Sequence, residues 1–213
     1  MHFNKNSVLN VMDLCCDREQ QRLFAHLSFE ITAGNLLLIE GPNGVGKSTL
    51  LQLLAGLITP SSGEIHWQNI AIQQQRESYA REIHYIGHTN GIKLGLTVLE
   101  NLQLASHLAL ASIASERLSE TLSRLQLENQ RTKLAKQLSA GQKRRLALAR
   151  LLLFRKPLWI LDEPLTSLDA ATQAMVMQLL EAHVNDGGIC VMSSHQSIPF
   201  KEIEIKTLRL TAC

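Results

Sequence analysis

Apolar positions gather into three short continuous runs and one long stretch of helical spacing. Residues 22–40 alternate and then turn wholly apolar at Leu36-Leu37-Leu38-Ile39, just before Gly41. A run of that length against glycine predicts a strand buried on both faces. Leu158-Trp159-Ile160-Leu161 and residues 189–192 repeat the pattern. Between these runs the pattern is helical. Residues 48–57 form a helix stopped by Gly56 and Pro60, and residues 170–184 one stopped by Asn185-Asp186-Gly187-Gly188. Residues 97–153 read as mostly helical. Thr97-Val98-Leu99-Glu100 has capping-box spacing, and Leu118, Leu122 and Leu125 recur at helical intervals. A turn at Pro60-Ser61-Ser62-Gly63 leads into an expected edge strand over 64–67. Residues 83–87 and the alternating 201–210 complete the strands. The expected fold is α/β, with strand–helix alternation around an inserted helical block.

Composition narrows the classes of function. With 213 residues, 45% of them hydrophobic, the chain has material for a real core. A net charge of +2 lacks the concentrated basic excess of nucleic-acid binders, so no nucleic-acid partner is expected. The four cysteines form no C-x-x-C pair and no zinc-type cluster with the eight histidines. Residues 1–10 are polar, which predicts no secretory signal. No run approaches the ~18–20 apolar residues of a bilayer span, and the greasiest, 146–154, is cut by Arg150. Any membrane path must come from another chain.

The chemistry begins with Gly41-Pro42-Asn43-Gly44-Val45-Gly46-Lys47-Ser48, placed between a strand and a helix, with Thr49 following. That is the P-loop pattern. Its glycines let amide hydrogens turn inward onto phosphate oxygens, and the helix start adds partial positive charge. Lys47 reaches the β- and γ-phosphates, and the Ser48 hydroxyl suits Mg²⁺. A glycine turn without a ligand is the alternative. The run at 158–161 delivers Asp162 and Glu163, which point in different directions on a strand. Asp162 can support Mg²⁺ while Glu163 orients or deprotonates the attacking water. Alone, the two acids would equally suit a solvated strand end.

Leu138-Ser139-Ala140-Gly141-Gln142 opens a helix rich in Arg and Leu, with Ser139 and Gln142 at capping-box spacing. Such a start is either a well-capped surface helix or a second anion-binding terminus, with Gly141 allowing close approach. The order of residues 41–48, 138–142, 158–163, Ser167-Leu168-Asp169 and His195 resembles the ABC-type ATPases over nearly the whole chain. The resemblance implies a single ABC ATPase domain over 1–213. A RecA-like P-loop NTPase core with an N-terminal antiparallel β subdomain would occupy 1–90 plus 157–213, and a helical signature subdomain 91–156. It also implies a head-to-tail homodimer sandwiching two Mg-ATP. Lys47, Gly44, Gly46 and Ser48 would then bind phosphate and Mg²⁺, with Asp162 supporting the metal. Glu163 would be the base, and His195 the γ-phosphate contact. Ser139, Gly141 and Gln142 would serve the opposite ATP, and Asp169 the loop coupling the two sites.

Two positions depart from the family pattern. His88, in Tyr85-Ile86-Gly87-His88, stands where a glutamine is usual; it can contact a Mg-bound water or the γ-phosphate. Residues 15–20 hold no aromatic to stack adenine, leaving Arg18 or Phe24 as candidates. Gly87-His88, Gly91-Ile92-Lys93, residues 96–101 and Ser194-His195-Gln196 resemble the ATPase subunits of the cytochrome c maturation, or heme-exporter, system. The resemblance implies a peripheral protein on the cytoplasmic face of the bacterial inner membrane. Its membrane contact would be indirect, through an integral permease and small membrane partners. The alternatives are the ATPase of another small bacterial ABC transporter, or a soluble ABC ATPase.

Overall fold

The computed structural model describes residues 3–18, 21–194, 200 and 203–211. In chain order the first elements are β1 (Val8–Arg18), β2 (Gln21–Thr32), β3 (Leu36–Glu40), α1 (Lys47–Leu54), β4 (Ser62–Trp67), β5 (Ile70–Ala71), α2 (Arg76–Glu82) and β6 (Ile83–Ile86). There follow α3 (Val98–Leu108), α4 (Ser115–Arg124), α5 (Ala140–Leu153), β7 (Leu158–Asp162), α6 (Ala170–Asn185), β8 (Ile189–Ser193) and β9 (Ile205–Arg209).

The chain divides into two compact units. One comprises Met1–Gly87, Lys156–Glu163 and Met177–Cys213; the other comprises His88–Arg155 and Pro164–Val176. In the first, a parallel sheet runs β6-β7-β8-β3-β9, and an antiparallel sheet runs β2-β1-β4-β5. The apolar runs form β3, β7 and β8, and β7 and β8 are buried along their whole length. Helix α1 packs on β7 and β8 and buries Leu50, Leu51, Leu53 and Leu54 completely. Each such leucine stabilises the fold by roughly 1.5–3 kcal/mol.

Glycine ends two helices by the same geometry. Past α1, Gly56 (φ 69°) donates to the Leu53 carbonyl and Leu57 to Gln52. Past α6, Gly187 (φ 89°) donates to Val184 and Gly188 to His183. Both are Schellman closures, which need a left-handed residue after the helix.

Strand β4 is not an edge: β1 flanks it on one side and β5 on the other, although β5 covers just its last two residues. The alternating tail contributes one strand, β9, beside β3. The helical stretch resolves into α3, α4 and α5. Their connections turn at Leu110 (φ 51°) and Gln126 (φ 54°). The second unit has its own core of Val98, Leu102, Leu118, Leu122, Leu138, Leu146 and their neighbours. None of the described helices is long and apolar enough to cross a membrane.

Candidate active site

The strand-to-helix turn between β3 and α1 is built from left-handed backbone. Gly41, Gly44 and Gly46 have φ of 149°, 81° and 107°. Their reasons differ. At Gly44 nothing crowds a side chain, so the dihedral alone requires glycine. A Cβ on Gly41 would stand 2.6 Å from the Leu210 carbonyl oxygen, at the end of β9. A Cβ on Gly46 would meet the Phe24 ring at 3.3 Å. Phe24 is therefore a wall behind the loop. At 4% exposure it offers adenine no free face, which corrects its candidacy as a stacking residue. Arg18 is exposed at the end of β1.

Gly46 caps α1 without a side chain, and the first turn carries no acid. Its amides are the unsatisfied donors every helix start presents, here at the mouth of a glycine turn. The buried Lys47 ammonium lies back along the loop, donating to the carbonyls of Gly41 (2.7 Å) and Pro42 (2.9 Å). Pro42, Asn43 and Ser48 are exposed, while Val45 and Thr49 are buried.

Register places the acids on the same edge. In the parallel sheet Ile39 pairs with Ser193, and Ser193 with Asp162. The loop and the acids thus leave the C-terminal edge two strand spacings apart, about 10 Å. Asp162 is 2% exposed, and the Ser193 hydroxyl donates to its Oδ1 at 2.6 Å. The same hydroxyl accepts the Glu163 amide hydrogen at 3.0 Å. Glu163, half-buried, takes φ 48°, a conformation a non-glycine residue holds at a cost. Burial, and then the Asp162 charge, push the Tyr85 hydroxyl above the usual phenol range, while a hydrogen bond with Gln52 of α1 opposes them. Ser193 was missed in the sequence. The signal available there was a hydroxyl closing an otherwise apolar strand.

In the second unit Ser139 caps α5. Its hydroxyl accepts the Gln142 amide hydrogen at 3.2 Å, and the Gln142 side-chain oxygen accepts the Ser139 amide hydrogen at 3.0 Å. The capping box uses both of those amides, leaving the Ala140 and Gly141 amides as the outward donors of this helix start. Asp169 caps α6, accepting the Thr172 amide hydrogen at 2.8 Å. That bond, then the Thr172 hydroxyl, with Arg145 adding less, hold the Asp169 carboxyl below the usual range. His88 is exposed and directly follows Gly87. His195, the expected γ-phosphate contact, lies outside the described residues. The structure joins the loop and the acids through one sheet, and residues 139–142 and 167–169 through the second unit.

A glycine turn feeding a helix without a side-chain cap, beside a strand that leads into two acids, is the nucleotide-binding arrangement of the P-loop ATPases. The sequence profile of the ABC transporter family matches residues 24–166. The cytochrome c biogenesis ATP-binding export protein CcmA of Tatumella citrea is 42% identical over 96% of this chain and 97% of its own. The protein of that name from Vibrio cholerae is 43% identical over 95% of this chain and 98% of its own. An ATP-binding cassette solved as a dimer in a post-hydrolysis state with ADP and phosphate superimposes with a TM-score of 0.79. It is 27% identical and covers 88% of each chain. The chain belongs to the ABC transporter family, in the group formed by these cytochrome c biogenesis ATP-binding export proteins. It is an ATP-binding, ATP-hydrolysing cassette with an α/β P-loop core, an antiparallel β subdomain and a helical subdomain.

Proposed function

We propose that two copies of this chain close head to tail over two Mg-ATP and hydrolyse them with Glu163 as base. The opening and closing would drive a membrane permease of the heme-delivery system of cytochrome c biogenesis. One observation carries the reading: the uncapped start of α1 opens on the sheet edge where Ser193 holds Asp162 and Glu163. The glycine-loop amides and Lys47 take the β- and γ-phosphates, and Ser48 and Asp162 hold Mg²⁺. The described residues contain no cluster of three or more His, Cys, Asp or Glu side chains. A hydroxyl and one buried carboxylate suit a hard cation whose remaining ligands are phosphate and water oxygens. When bound, the ion neutralises charge developing on the phosphates.

Glu163 accepts a proton from the attacking water. The Ala140 and Gly141 amides and the Ser139 hydroxyl of each molecule face the γ-phosphate bound by the other. Asp169 lies in the loop coupling the two sites, and His88 and His195 contact the γ-phosphate side. Cleavage removes the bridge between two helix starts, so the closed state loses the contacts that favoured it. The relatives' designation as cytochrome c biogenesis ATP-binding export proteins supports the assignment, as does their match along nearly the whole chain. The site would then work on the cytoplasmic face of the inner membrane.

The test is Glu163→Gln. Hydrolysis should fall at least ~100-fold, the usual weight of a general base, and ATP should trap a dimer visible by light scattering. Hydrolysis at the unaltered rate would remove Glu163 from the role. Partners recovered from detergent-solubilised membranes, tested for heme, separate the heme system from another transporter, and either from a soluble factor.

A further inference from the structure

We infer that Gln173 is a positioning residue for ATP hydrolysis: its amide holds residues 164–169 in the shape that seats the Ser167 carbonyl on Gly141. The inference rests on the dimer reading above. Gln173 lies in the first turn of α6, and its Nε2 donates to the carbonyls of Leu165 (3.2 Å) and Leu168 (3.3 Å). One side-chain group thus closes a four-residue arc from inside. A glutamine that served the helix alone would bond within its own turn; this one spends both donors on the segment before it.

Ser167 sits between the clamped carbonyls with φ 64°, a conformation rarely kept by a non-glycine residue unless its surroundings impose it. With the arc in that shape, the Ser167 carbonyl oxygen lies 2.7 Å from where a Cβ on Gly141 would be. Any side chain at 141 would collide with backbone, so residue 141 must be glycine for the arc as well as for phosphate. At its other end the arc joins Glu163, itself at φ 48°, through Pro164. The base a molecule uses on its own ATP and the helix start it offers its partner's ATP are therefore linked by one short segment. Gln173 sets the form of that segment. No step of phosphate binding or proton transfer calls for glutamine at 173.

The test pairs two variants. Gln173→Met keeps length and apolar stem but removes the donors; Gln173→Lys restores N–H donors. Each is assayed for kcat, KM and ATP affinity at low protein concentration, and each is combined with Glu163→Gln for dimer affinity by sedimentation. Loss of two neutral hydrogen bonds corresponds to roughly a tenfold effect. Gln173→Met should lower kcat and weaken the ATP-bound dimer by about that factor, with ATP affinity unchanged, and Gln173→Lys should recover most of both. Wild-type kcat and dimer affinity in Gln173→Met would overturn the inference. So would equal losses in both variants accompanied by weakened ATP binding, which mark a purely structural role. If Glu163→Gln stays monomeric with ATP, the dimer reading falls and takes this inference with it. If it dimerises, and adding Gln173→Met changes nothing, this inference alone falls.

Discussion

Ser193 illustrates how much one hydroxyl can organise at a strand end. It donates to a carboxylate 2% exposed and accepts from the next residue's amide, fixing both acids against one neighbouring strand. Ser193→Ala strips one hydrogen bond from each acid residue inside the core. Such a loss costs about 1–3 kcal/mol where a buried group goes unsatisfied. Urea denaturation should register a destabilisation of that order. In ATPase assays kcat should fall more than KM rises, because the loop that binds the nucleotide is untouched. Gly46→Ala should do the opposite. Its φ of 107° is one that alanine rarely adopts, and a methyl there would crowd the Phe24 ring at 3.3 Å, so ATP affinity should fall about tenfold or more. Titration with a fluorescent nucleotide would measure it, and unaltered affinity would show that the loop shape is not what binds phosphate.

The helices show where local chemistry suffices and where tertiary structure decides. The capping box at α3 forms as its spacing requires. The Thr97 hydroxyl accepts from the Glu100 amide, and the Glu100 carboxylate accepts from the Thr97 amide at 2.7 Å. The backbone bond, and then the Thr97 hydroxyl, hold the Glu100 carboxyl below its ordinary range. A depressed native pKa means the unfolded chain takes up the proton first. The contribution is therefore complete above the ordinary carboxylate range and fades as pH falls through the native value. Melting midpoints of Glu100→Gln and the unaltered protein should differ at neutral pH and converge toward about pH 4 or below. A constant gap would contradict the assignment.

Strands β3, β7 and β8 and helix α1 were legible because burial on both sheet faces writes a continuous apolar run, with glycine just after β3 and α1 and just before β8. Strand β1 was not, because register shifts around Asp13 (φ 48°) break its alternation. Nor were the turns at Leu110 and Gln126, left-handed without the glycine that announces such a turn. The glycine loop and the acids were read from spacing. Ser193 and Gln173 could not be, since their partners are set by strand register and by an arc whose shape the folded chain imposes.

At the scale of the whole molecule, the proposed dimer would set the glycine loop of each copy against residues 139–141 of the other. Specific ATPase activity should therefore rise with protein concentration and level off once dimers dominate. Activity per chain that stays flat to high dilution would argue for a site complete in one copy. The parallel sheet adds a practical constraint. Strand β9 lies beside β3, Leu210 donates its amide hydrogen to the Glu40 carbonyl at 2.8 Å, and its own carbonyl stands over Gly41. The floor of the nucleotide cradle is therefore laid by residues far downstream in sequence from the loop they support. A ribosome-bound fragment lacking β9 would have the complete binding motif yet grip nucleotide poorly. Trimming a recombinant version back past Leu210 should produce the same defect.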